Sequence, residues 1–239
     1  MKQRMSVAVA ALVAVVTLAC SLTGSTVSDE PPEGTNPVPT AADVEAPAST
    51  PQPTGTAAQE AEETMVVRAA DGMEMVPIPA GEFLMGDDAA AAAHERPEHL
   101  VYLDSYWIDR LEVSNAQYRL CVEAGSCAAP DAWRDPNFNE DEQPAIVPWE
   151  GADAYCTWVG ARLPTEAEWE KAARGTDGRT WPWGDEFEEN RANISGEGDG
   201  YGFTAPVGSF PGDASPYGVL DVAGNAAEWV ADWWDEAYY

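Results

Sequence analysis

Apolar and small residues alternate along Met73-Glu74-Met75-Val76-Pro77-Ile78-Pro79-Ala80-Gly81-Glu82-Phe83-Leu84-Met85-Gly86. A period of two broken by Pro-Ala-Gly predicts two short strands around a turn. Val101 to Asp109 repeats the alternation and predicts a second strand pair. The period then lengthens. Ser114 is placed as an N-cap, with a helix to about Ala124 and Gly125 as its stop. Ala152, Tyr155, Cys156 and Val159 fall at i, i+3, i+4 and i+7 and predict a helix over about 151–159. Thr165-Glu166-Ala167-Glu168 opens a third helix with a capping box, in which hydroxyl and carboxylate each satisfy an orphan amide. Arg174-Gly175 ends it. Beyond lies an irregular stretch rich in Gly, Pro, Trp and Asp. Together these predict an α+β domain over 65–239 with little regular secondary structure, no internal repeat and no second domain.

The first 64 residues follow neither period. Lys2 and Arg4 precede an apolar run, Val7 to Leu18, that is too short for a comfortable membrane span. It ends at Thr17-Leu18-Ala19-Cys20-Ser21, which resembles a bacterial lipobox. Residues 1–20 are therefore expected to be a signal peptide, with Cys20 the lipidation site that anchors an exported protein to the membrane of the cell envelope. Residues 21–64 are rich in Pro, Thr, Ala and Glu and hold almost no large apolar side chains. Such a stretch cannot bury enough surface to offset its ordering entropy and is expected to be a tether.

Export bears on the remaining cysteines, because an oxidising compartment favours disulfides. Cys121 and Cys127 flank a helix end and turn, and a local disulfide is expected between them. Cys156 is then left over: either a buried thiol or one whose partner lies outside this chain. Charge excludes one class of partner. With 12 Lys+Arg against 42 Asp+Glu and a net charge of -30, a nucleic-acid backbone would be repelled.

Most motifs are weak. His94 and His99 stand five apart with Pro97 between them, so they fail the zincin spacing, and two histidines exclude a histidine-rich metal centre. Gly196-Glu197-Gly198-Asp199-Gly200 lacks the Lys-Ser/Thr of a phosphate loop and the spacing of an EF-hand. Asn193, Glu197 and Asp199 form either a calcium loop or a solvated acidic loop. Asp221-Val222-Ala223-Gly224-Asn225-Ala226-Ala227-Glu228-Trp229 leaves two readings open as well. It is either a turn capping an aromatic strand or a set of oxygen donors for a hard cation.

Five segments in order carry a family resemblance. They are Val76 to Gly86, Glu112-Val113-Ser114-Asn115, Tyr155-Cys156-Thr157-Trp158 with Arg162-Leu163-Pro164-Thr165-Glu166-Ala167-Glu168-Trp169-Glu170, Trp181-Pro182-Trp183-Gly184, and Gly224 to Trp229. Over about 73–239 the chain resembles formylglycine-generating enzyme, the sulfatase-modifying factor domain. The resemblance implies an irregular fold similar to C-type lectin domains and stabilised by calcium. One calcium would take the side chains of Asn193 and Asp199 with backbone oxygens of Ile194 and Tyr201. A second would take Asp221 and Glu228 with backbone oxygens of Gly224 and Ala226, and Glu112 would be a further acidic contact. Asp221 stands where the family usually has Asn.

The resemblance also implies a reaction: oxidation of a sulfatase cysteine to formylglycine, with oxygen and a copper ion held by two cysteines. Thiolate suits Cu(I). In the family that pair follows the tryptophan run in an Arg-Gly-Gly-Ser-like segment, and the disulfide partner of Cys156 lies there too. The chain reaches Tyr239 before any such segment, so the expectation is of a domain incomplete at its C-terminus and without the catalytic pair. Three functions are weighed. They are a copper-dependent oxidoreductase acting on exported sulfatases, a non-catalytic lectin-like binding protein of the envelope, and, last, a non-haem iron sulfoxide synthase, for which residues 21–64 hold no histidines.

Overall fold

The computed structural model describes residues 3–7, 16–23, 65–90, 95–194 and 199–234. All lie in a unit made of Met1–Gly24 with Thr64–Tyr239; Ser25–Glu63 form a second unit. Residues 21–23 of the expected tether are instead a strand with Ser21 buried, which moves its start; residues 24–64 and His94 fall outside the described residues.

Among the described residues nine short strands pair across three sheets. The central one takes the order β3 (Ser21–Thr23), β8 (Tyr106–Asp109), β5 (Glu74–Ile78) and β4 (Val66–Val67), all antiparallel. Val76 opposes Ile108 and Ile78 opposes Tyr106, so the alternation that predicted these strands turns one apolar face inward. The turn after Ile78 leads into β6 (Gly81–Met85), which pairs with β7 (His99–Leu103). The third sheet sets β9 (Ala227–Trp234) between β1 (Gln3–Val7) and β2 (Val16–Thr17).

The helices lie close to where the periodicity places them. α1 (Asn115–Glu123) is capped by Ser114 and α3 (Glu166–Arg174) by Thr165, each with a reciprocal capping box. Such a box satisfies two orphan amides, and removing the cap costs about 1 kcal/mol. α2 (Trp149–Trp158) begins two residues earlier than expected, directly after Pro148, which sits extended at the N-cap. Its inward face, Ala152, Tyr155 and Cys156, joins Tyr118, Val113 and Leu163 in one core cluster. A second cluster packs Trp169 and Ala172 of α3 under Val76, Ile108 and Val230. The indoles bring their N–H groups to partners: Trp149 donates to Val230 O and Trp229 to Val147 O, each at 2.9 Å.

The N-terminal segment departs from expectation. Thr17, Leu18, Cys20 and Ser21 are all fully buried. Val113 N–H donates to Leu18 O at 3.0 Å, and Ser21 N–H donates to Arg162 O at 2.7 Å. Cys20 is disulfide-bonded to Cys156 across 136 residues of sequence. This corrects two expectations. Cys156 is neither a free thiol nor paired outside the chain, and the Cys20 sulfur cannot carry a lipid thioether while it forms this bond. The expected Cys121–Cys127 bond is present.

Candidate metal centre

Two loops meet beside β9. Asp221 and Asn225 both take left-handed backbone conformations, φ 64° and 63°, which Asp and Asn tolerate better than most side chains. The loop so curled lies against the backbone of Asn193. Asn225 N–H donates to Asn193 O at 2.7 Å, and Asn193 Nδ2 donates to Asn225 Oδ1 at 3.1 Å. Gly224 is required here, since a Cβ would stand 2.4 Å from Asn193 O. We expect Gly224→Ala to force the loops apart at a cost of about 1–3 kcal/mol. Denaturant unfolding of the two proteins checks this, and equal midpoints and slopes would remove the close approach as a constraint.

Four carboxylates gather around this loop. Glu112, Asp213, Asp221 and Glu228 are each at most 3% exposed. Among the described residues none of the four enters an ion pair. Glu112 Oε1 accepts from Ala226 N–H at 2.9 Å and its Oε2 from Asn225 Nδ2 at 2.5 Å. Glu228 Oε2 accepts from Trp169 Nε1 at 2.8 Å, and Asp221 Oδ2 from Gly208 N–H at 2.6 Å. Asp213 Oδ2 accepts from Asp221 N–H at 2.9 Å, while its other oxygen is buried without a partner. Burial, reinforced by Asp221 nearby, pushes both Asp213 and Glu228 up to about 8. Burial also raises Asp221 to about 6 and lifts Glu112 well above the usual range, the latter with Asp221 and Glu228 adding repulsion. Unpaired buried carboxylates are costly, and a divalent cation is one way to relieve them.

Of the second expected donor set, Asp221 and Glu228 are buried at the two ends of the segment that carries Gly224 and Ala226. Among the described residues the carbonyl oxygens of Gly224 and Ala226 accept no hydrogen bond. They remain open as donors beside Asp221 and Glu228. Glu112 accepts one hydrogen bond from the loop on each oxygen and so orients it. Among the described residues no three His, Cys, Asp or Glu side chains converge on one point. A site here would use two carboxylates and backbone oxygens, a mixture that calcium accepts.

The first expected set is placed less completely. Asn193 Nδ2 also donates to Phe203 O at 2.8 Å, leaving its Oδ1 open. Asp199 Oδ1 accepts from Tyr201 N–H at 3.0 Å. Ile194 and Tyr201 have carbonyls that accept no hydrogen bond among the described residues, and Glu197 lies outside them. Asp213 and Asn225 escaped the sequence reading. Asp213 sits in an irregular stretch with no period to flag it, whereas Asn225 lies inside the quoted motif but works through its amide.

Copper does not fit the cysteines present. Cys20, Cys121, Cys127 and Cys156 form two disulfides, and a disulfide sulfur is not the thiolate that Cu(I) requires.

Comparison with known proteins identifies the family. Residues 60–239 match the sulfatase-modifying factor enzyme 1-like domain. The chain is 34% identical over 220 residues to formylglycine-generating enzyme of Bos taurus, covering 67% of this chain and 58% of the bovine protein. It thus spans a little over half of that relative's length. The formylglycine-generating enzyme of Thermomonospora curvata is 36% identical over 224 residues, covering 69% of this chain and 73% of the relative. Among solved structures, PvdO from Pseudomonas aeruginosa aligns with a TM-score of 0.61 at 33% identity, over 73% of this chain and 76% of that one. This chain belongs to the sulfatase-modifying factor enzyme 1-like domain family.

Proposed function

We propose that these residues form the calcium-stabilised framework of a formylglycine-generating-type domain, and that this framework holds a segment of an exported protein without itself supplying redox chemistry. The observation that carries the reading is the buried carboxylate set at Asp221 and Glu228, without a cationic side chain, beside the open carbonyls of Gly224 and Ala226. Calcium bound there supplies fixed positive charge and ties β9 to the loop. Asn193, Ile194, Asp199 and Tyr201 offer donors for a second ion. An irregular, C-type-lectin-like fold depends on such ties because few ladder hydrogen bonds hold its loops. Both disulfides favour an oxidising compartment and so support export.

Calcium added to chelator-stripped protein at about a hundredfold excess over its dissociation constant should stabilise the fold by about 2.7 kcal/mol. A melting temperature that calcium does not move overturns the proposal.

A second reading follows from the relatives. Relatives named formylglycine-generating enzyme favour the oxidation of a cysteine in an exported sulfatase. The four cysteines here are committed to disulfides, so these 239 residues given copper and oxygen should leave a sulfatase cysteine peptide unconverted. Conversion of that peptide would return the chain to the enzymes.

A further inference from the structure

One segment runs from the candidate metal centre to the disulfide between Cys20 and Cys156. Thr17 lies in register with Glu228, where β2 runs parallel to β9. Next to it, Leu18 O accepts from Val113 N–H at 3.0 Å. Val113 follows Glu112, whose carboxylate holds the Ala226 amide and the Asn225 side chain. The segment is thus tied to the centre twice, through the strand that carries Glu228 and through the residue beside Glu112.

Further along, Cys20 closes its bond to Cys156 on α2. Hydrogen bonds flank that bond. Asp109 N–H donates to Cys20 O at 2.9 Å, and Cys20 N–H donates to Asp109 Oδ2 at 3.0 Å. Ser21 N–H donates to Arg162 O at 2.7 Å, and Arg162 N–H returns to Ser21 O at 3.1 Å. The segment is therefore a strap, pinned covalently at Cys20 and laid along β9 at Thr17. Cys20 and Cys156 are both fully buried, so a dithiol reaches their bond only when the strap opens. The other disulfide differs. Cys127 is partly exposed, and its bond to Cys121 closes only the turn at the end of α1.

We propose that the Cys20–Cys156 bond is a redox latch on this strap that sets the calcium affinity of the Asp221 and Glu228 centre, an inference that rests on the calcium reading above. With the latch closed, the strap holds β9 and the Glu112 side of the loop in place, and the ion meets donors already positioned. A dithiol opens it in two exchanges. Its thiolate attacks one sulfur to give a mixed disulfide, and its second thiol then closes a cyclic disulfide as the remaining cysteine sulfur leaves. Two electrons pass to Cys20 and Cys156, which take up two protons and end as thiols. Without the bond the strap is held by non-covalent contacts alone, and part of the calcium binding free energy goes into ordering it. Coupling is reciprocal, so calcium at the centre also holds the latch shut.

Calcium titration of the oxidised full chain and of Cys20→Ser with Cys156→Ser tests the latch. The double variant is expected to bind calcium about tenfold more weakly. Cys121→Ser with Cys127→Ser, which removes the bond away from the strap, should keep the parent affinity. A second measurement needs no cysteine variant to fold. In the parent, calcium should slow dithiothreitol reduction of Cys20–Cys156 about tenfold and leave the rate at Cys121–Cys127 unchanged, with both bonds followed by mass spectrometry of alkylated peptides. Glu228→Gln should abolish that protection. Equal calcium affinity in the parent and the Cys20, Cys156 variant overturns the latch and leaves a plain staple. Protection that survives Glu228→Gln overturns it as well, as does a reduction rate that climbs with urea as steeply as global unfolding does, since the whole fold would then be what opens. If the oxidised parent binds no calcium, the calcium reading falls and the latch with it; calcium binding that ignores the bond sinks the latch alone.

Discussion

Replacing Arg68 by Met should cost about 3–5 kcal/mol, because it strips the cation from a buried cluster while keeping the length of the side chain. Arg68 is 7% exposed. Its Nη1 donates to Asp109 Oδ1 and its Nη2 to Asp71 Oδ2, each at 2.6 Å. Tyr155 Oη donates to the same Asp71 oxygen at 2.6 Å, and Cys20 N–H donates to Asp109 Oδ2 at 3.0 Å. One guanidinium therefore joins the segment before β5, the end of β8, the face of α2 and the N-terminal segment. Burial works to raise Asp71, but the hydrogen bonds from Arg68 and Tyr155 bring it below its ordinary value. Burial pushes Asp109 up to about 7 even with Arg68 beside it. Without Arg68 the folded Asp109 holds its proton more tightly, so its share of the deficit grows as pH rises above about 7, where the parent Asp109 ionises. Changing Asp71 and Asp109 to Asn in the same variant removes the uncompensated charges and should recover more than half of the loss. Urea unfolding of the three proteins decides it. A deficit under about 1 kcal/mol for Arg68→Met would mean the cluster is not a buried ion network.

That cluster also marks where the sequence stops being legible. The strands at 74–78 and 81–85 announce themselves because the period is two, and the structure buries Val76 and Ile78, Phe83 and Met85, with Met75 buried on the other face. Thr165 and Glu168 write the start of α3 into four letters, and the box forms as spelled. Arg68 shows no comparable signal. A lone arginine between Val67 and Ala69 reads as a single surface charge, and only the fold places Asp71 and Asp109 around it. Cys20 misleads for the opposite reason: the apolar run before it is strong local evidence for a leader. The same Leu18, Ala19 and Cys20 serve equally well as core, and the structure buries them there. The carboxylate centre falls between these cases. Asp221, Gly224, Ala226 and Glu228 are readable as a motif. That Glu112 orients the loop depends on Asn225 and the Ala226 amide, whose positions the pattern does not encode.

Without calcium the domain should be more stable at pH 5 than at pH 8, the reverse of what ion-paired surface carboxylates produce. In the folded state Asp221 is raised to about 6, Asp213 and Glu228 to about 8, and Glu112 in the same direction. Unfolded, all four ionise near pH 4. A carboxylate with a raised folded value contributes stability that is fully present below its unfolded value and lost as pH climbs through the folded one. One proton retained across three pH units corresponds to about 4 kcal/mol, at about 1.4 kcal/mol per unit. Repulsion couples the four groups, so the whole set is expected to lose that order of stability rather than four times as much. Calcium reverses the logic: its ligands must be ionised, so affinity rises with pH just where the empty loop weakens. Melting curves from pH 5 to 8, with chelator and with millimolar calcium, should therefore diverge steadily as pH increases. Curves that stay parallel would leave the carboxylates as ordinary buried acids, each satisfied by its own proton, and would remove the cation from the account of how β9 is held.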